Sequence, residues 1–145
     1  MKNDGIVARA EMLIRSPASK VFEAFVDPTR QARSWDIGAL GLGDVRVLNR
    51  SQGEGAGTEQ EILVEWFAYG APTDLEWVFA ARPDDTTLVS NTNSGFGGSA
   101  QEIANLAVAS TEGFAFVLAG AKALLEHGVL LNLVPDRFPD GLPKA

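Results

Sequence analysis

The chain has 145 residues, 46% of them apolar and 21% charged, which is one ordinary domain with enough apolar mass to bury a core unaided. Nineteen acids against twelve bases leave a formal charge of −7, a sign that disfavours phosphate backbones and anionic membranes, so neither nucleic acid nor membrane is an expected partner. Cysteine is absent and histidine occurs once, which removes disulfides, thiol nucleophiles, thiolate metal sites and multi-histidine metal centres, and no cofactor is expected.

Residues 1–16 carry Lys2, Asp4, Arg9, Glu11 and Arg15, too polar for a signal-peptide core, so the expected location is cytoplasmic. Residues 5–15 alternate. Ala8, Ala10, Met12 and Ile14 share one face, and Arg9, Glu11, Leu13 and Arg15 the other, as in a half-buried strand. Ser16-Pro17 predicts an N-cap with proline at the first helical position, opening short helices over 17–35. Val21, Phe22 and Phe25 form the stripe, and Asp27-Pro28 ends the first helix.

Sheet is predicted over 43–94. Asp44–Arg50 is a short strand. In 59–67, Gln60, Ile62, Val64 and Trp66 oppose Glu59, Glu61, Leu63, Glu65 and Phe67; in 74–80, Leu75, Trp77 and Phe79 oppose Asp74, Glu76 and Val78. Thr86–Asn93 follows the turn Arg82-Pro83-Asp84-Asp85. Strands joined by short turns must be antiparallel.

The last third is helical over 99–127. Ser99 with Glu102 fits a capping box, and Phe114, Val117, Leu118, Ala121, Leu124 and Leu125 trace one stripe. His127-Gly128 closes the helix, with the imidazole near its negative end. The nearly apolar run Phe114–Leu125 is too short to cross a bilayer. Pro135, Pro139 and Pro143 make the tail, 129–145, too proline-rich for further helix. The fold class is therefore α+β, a single domain over 1–145.

Gly95-Phe96-Gly97-Gly98-Ser99-Ala100 spells G-x-G-x-x-A, but a dinucleotide site needs a second parallel strand ending in an acid, and that distance lands inside the long helix. It reads as a strand-to-helix turn. The glycines of 38–43 and 53–57 lead to no GK[ST], and read as a mobile loop pair. His127 lies more than four turns from Ser110 and Thr111 on the same helix, too far to activate either. Asp84 and Asp85 read as turn formers, and Glu59, Glu61 and Glu65 as a solvated face. The aromatic residues are more informative. Trp66, Trp77 and Phe79 project from the inner faces of adjacent strands, Phe114 comes from the long helix, and Trp35 sits just after the short helices; bulky rings on opposed elements either fill a core or line a cavity.

The chain resembles the START-like helix-grip superfamily (Bet v 1-like, SRPBCC), and within it the Hsp90 ATPase activator homologues and polyketide cyclases. The residues carrying the resemblance run from Ser16 through Pro28, with Trp35, then Val64-Glu65-Trp66, Glu76-Trp77-Val78-Phe79, Thr86–Val89 and Asn93-Ser94-Gly95-Phe96. It continues through Ser110–Phe114, Lys122–Gly128 and Leu131–Pro139, and covers nearly everything except 37–60. The resemblance implies a curved antiparallel sheet gripping a long C-terminal helix with a cavity between them. It carries over no catalytic residue, because ligand binders, cyclases and co-chaperone domains share the scaffold. The stretch between Trp35 and residue 59 is shorter than in such relatives, which predicts five or six strands rather than seven.

Three functions follow as expectations. The first is non-catalytic binding of a small hydrophobic or amphipathic ligand by Trp35, Trp66, Trp77, Phe79, Asn91, Phe114 and Leu118. The second is a co-chaperone-like interaction domain whose face Glu59, Glu61, Glu65, Asp74 and Glu76 meets a basic partner. The third is a cyclase or hydrolase of cyclic substrates, for which Asp36 and Asn91 are the polar candidates. A shortened sheet also leaves apolar helix and a strand edge to be covered, which predicts a homodimer on that side.

Overall fold

A computed structural model describes residues 5–26, 46–51, 59–66 and 71–140. Five strands are described: β1 (Ala8–Ile14), β2 (Arg46–Ser51), β3 (Glu59–Trp66), β4 (Thr73–Ala81) and β5 (Thr87–Ser94). Three helices accompany them: α1 (Ala18–Val26), α2 (Ala100–His127) and α3 (Leu133–Arg137). The sheet is antiparallel in the order β1-β5-β4-β3-β2, so the first strand in the chain lies beside the last. Trp35, Asp36 and the glycine-rich segments 38–43 and 53–57 fall outside the described residues.

The period-two patterns set the faces. Gln60, Ile62, Val64 and Trp66 are buried on β3, and Leu75, Trp77 and Phe79 on β4, while Glu61, Glu65, Asp74 and Glu76 lie on the other, partly exposed face. Ala8 and Ile14 are buried at the two ends of β1. A register irregularity between Val47 and Asn49 marks β2, as is common near a sheet edge. Residues 133–137, expected to be non-helical, form α3. Pro135 is its third residue, and within the first helical turn the missing N–H has no partner to lose. Val134 is thereby buried in the core, and Arg137 Nε donates to Glu112 Oε2 of α2 at 3.0 Å.

The start of α1 also differs from expectation. The Pro17 carbonyl accepts from Lys20 and Val21, so proline occupies the cap position and the helix starts at Ala18, one residue later than predicted. Ser16 lies beyond the end of β1 and is tied to β5 instead, its carbonyl accepting from Thr87 Oγ1 at 2.8 Å. Val21, Phe22, Ala24 and Phe25 turn into the core.

α2 begins at the expected capping box, with Ser99 Oγ accepting from the Glu102 N–H and Glu102 Oε1 accepting from the Ser99 N–H. It ends at Gly128, whose φ of 68° is a left-handed cap that glycine adopts without strain. At 28 residues, with a mean hydropathy of 1.4 in its most apolar window, α2 exceeds the apolar run read from sequence and is long and apolar enough to cross a membrane by composition. Here Ile103, Ala107, Phe114, Val117, Leu118 and Ala121 supply part of that apolarity and are buried in the core. Near its C-terminus Lys122 Nζ donates to the Leu13 carbonyl and to Glu126 Oε2, both at 2.7 Å. Glu126 Oε2 also accepts the Arg15 N–H at 2.7 Å. These contacts fasten the end of β1 to the end of the helix.

Candidate functional site

The face of the sheet turned toward α2 carries a continuous chain of rings. Trp66 meets Phe114 at a centroid distance of 4.9 Å, and Phe114 meets Trp77 at 5.6 Å, both edge to face. Trp77 meets Phe25 at 4.9 Å, Phe25 meets Phe79 at 5.0 Å, and Phe79 meets Phe22 at 5.4 Å. Alternation on β3 and β4 aims the tryptophans and Phe79 inward, and the stripes of α1 and α2 supply the phenylalanines. Leu118 is fully buried in the same cluster. Five of the seven candidates thus share one core: Trp66, Trp77, Phe79, Phe114 and Leu118. Phe22 and Phe25, which the sequence pattern marks only as a helix stripe, also join the ring chain.

β5 brings polar groups to this interior. Its buried row is Thr87, Val89, Asn91 and Asn93, three of them polar, whereas β3 and β4 each put one described polar residue, Gln60 and Thr73, on that buried face. Asn93 is fully engaged. Its Nδ2 donates to Thr73 Oγ1 and to the Asp74 carbonyl, both at 2.9 Å, and its Oδ1 accepts from Ser110 Oγ of α2 at 2.9 Å. Ser110 is therefore a structural tie between helix and sheet. The sequence signal for this network was available in the run of inward polar positions, but not the identity of the partners.

Asn91, the sixth candidate, is the opposite case. It is 1% exposed, and neither Nδ2 nor Oδ1 has a hydrogen-bond partner. Its register partners are Trp77 on β4 and Ala10 on β1, so its amide stands on the helix-facing side next to Trp77, which contacts Phe114. A buried amide left without partners costs about 1–3 kcal/mol for each unmet group. Native interiors pair such groups with protein, water or ligand.

Among the described residues no ionisable group belongs to this ring cluster. The buried polar residues among those described are Ser16, Gln60, Thr73, Thr86, Thr87, Asn91, Asn93 and Ser110. His127 lies at the helix end with a largely exposed ring, its Nε2 3.7 Å from Glu126 Oε1. The Lys122 hydrogen bond, with the Arg15 N–H, holds the Glu126 carboxyl below the ordinary glutamate value. Asp84 accepts from Thr86 Oγ1 at 2.6 Å inside its turn, and that bond lowers its pKa, as expected for a turn former. Among the described residues no group of three His, Asp or Glu side chains could hold a metal ion.

The arrangement of strands around α2 matches solved structures. A Staphylococcus saprophyticus protein, SSP2350, superposes with a TM-score of 0.57 at 20% identity, over 87% of this chain and 96% of that one. The chain has the helix-grip fold. Other helix-grip structures similar to it include the Aha1 dimer from Colwellia psychrerythraea, with a TM-score of 0.55 at 12% identity over 85% of this chain and 98% of that one. The di-domain ARO/CYC BexL of the BE-7585A biosynthetic pathway gives 0.54 at 14% identity, over 83% of this chain and 46% of that one. No protein-family profile matches the chain, and no curated protein matches it in sequence.

Proposed function

We propose that the protein binds a small hydrophobic or amphipathic ligand between the sheet and α2, without catalysis. The observation that carries this reading is the Asn91 amide, buried and unpartnered beside Trp77 within a frame of aromatic rings. Apolar surroundings with a few placed polar groups are what small-molecule sites are made of. The non-catalytic half draws on Glu126, whose largely buried carboxylate is engaged by Lys122 and the Arg15 N–H at the end of α2. Titration of the tryptophan fluorescence with fatty acids, steroids and fused-ring aromatics tests it, because Trp66 and Trp77 both belong to the ring chain. A saturable change with one class is expected; silence toward all of them overturns the reading.

A second reading, a protein-interaction domain, draws on the outer face of the sheet. Glu65 and Asp74 are register partners there, and Glu61 and Glu76 share the same face, which gives a basic partner an acidic surface to meet. The resemblance to the Hsp90 ATPase activator homologues makes the chaperone Hsp90 the partner to try, and the similar fold of the Aha1 dimer makes a second copy of the chain the assembly to look for. An ATPase rate unchanged by this protein rejects the first, and light scattering at a monomer mass rejects the second.

A further inference from the structure

Resting on the binding reading above, we infer that the ligand's buried polar end is electrically neutral and presents a donor beside an acceptor, as a lactam, an imide edge or a primary carboxamide does. Asn91 Oδ1 and Nδ2 lie side by side in one plane, one able to accept and the other to donate, and neither is engaged. A cis amide edge closes two bonds with that pair, its N–H donating to Oδ1 and its carbonyl accepting from Nδ2. A carboxylate can accept only from Nδ2 and sets its second oxygen against Oδ1.

Charge balance favours the same class. None of the buried polar residues described is ionisable, and Lys122, the amine that α2 extends to β1, is already bound to the Leu13 carbonyl and to Glu126. Among the described residues an anion beside Asn91 finds no counter-charge, and unpaired ions in an apolar interior are strongly disfavoured. Water is a poorer occupant. The same-face neighbours of Asn91 on the sheet are Ala10, Trp77, Val89 and Asn93, and Asn93 has both amide hydrogens donated. A buried water needs two to four polar partners.

Benzamide and benzoate are similar in shape and differ in the charge and donor at issue. The test titrates each into the ¹⁵N-labelled full chain near neutral pH and follows the side-chain NH₂ signals of Asn91. Those signals are assigned through the β5 backbone, so the readout does not depend on a variant folding. Benzamide should move them and bind roughly tenfold more tightly than benzoate, since each hydrogen bond contributes severalfold. Asn91→Leu should then bring benzamide down to the affinity of benzoate. Equal binding of the two compounds, or benzamide binding undiminished in Asn91→Leu, overturns the inference and leaves the binding reading standing. If neither compound, nor any member of the wider panel, moves a core signal, both fall together.

Discussion

Asn91 and Asn93 stand two residues apart on one strand and one face, with the same side chain and the same depth, yet they do opposite things. Asn93 joins β4, β5 and α2 through three hydrogen bonds, whereas Asn91 has none. The difference lies in what the register sets beside each. Asn93 is paired with Leu75 on β4 and reaches Thr73 and the Asp74 carbonyl at the strand's start; Asn91 is paired with Trp77, whose ring faces Phe114. A buried polar residue is thus a fastening in one place and an open valence in the next, and only its neighbours decide which.

The sharpest way to break this contrast is Asn93→Leu. It removes three hydrogen bonds and leaves Thr73, the Asp74 carbonyl and Ser110 without their partner, so a loss of about 3 kcal/mol is expected in urea unfolding. Ser110→Ala, which deprives only Oδ1, should cost about 1–2 kcal/mol, and the double variant should lose less than the sum of the two. Asn91→Leu should go the other way. It replaces an unmet amide by a side chain of similar volume, and a gain of about 1 kcal/mol in the unliganded protein is expected from the same measurement. A loss there would show that Asn91 is already satisfied.

The clamp at the far end of α2 provides a control through pH. The Glu126 carboxyl is held below its ordinary value of 4.5, so its contribution is complete above that pH and is lost as pH falls through the lower folded value. Glu126→Gln should therefore flatten the acid limb of thermal stability, leaving the difference between Asn91→Leu and Asn93→Leu unchanged. Arg137→Ala, at the partly exposed pair with Glu112, should shift stability by no more than about 0.5 kcal/mol.

Much of this was legible in the chain because the signals were local. Alternation placed Ile62, Trp66, Trp77 and Phe79 on the inner face, and Ser99 with Glu102 marked the start of α2 to the residue. α3 was hidden because proline reads as a breaker, although within a first turn it breaks nothing. Ser16 was read as a cap for the same local reasons, while its actual contact is with Thr87 on a strand far along the chain. The site was half legible. The rings could be collected from their faces, but the states of Asn91 and Asn93 depend on the registers of β1, β4 and β5 and on where Ser110 falls along α2. No period in the sequence encodes those distances.

The placement of β1 at the end of the sheet has a consequence for the order in which the molecule is assembled. Arg9 reaches Thr92 across 83 residues, and Lys122 reaches the Leu13 carbonyl across 109. During synthesis β1 must wait, apolar face uncovered, until β5 and nearly the whole of α2 have followed it. Such distant pairings fold slowly and leave the waiting segment open to wrong partners. The alternation of Arg9 and Glu11 with the apolar residues of β1 then matters before any fold exists: charges on one face of a waiting strand disfavour its pairing with the same strand of a neighbouring chain.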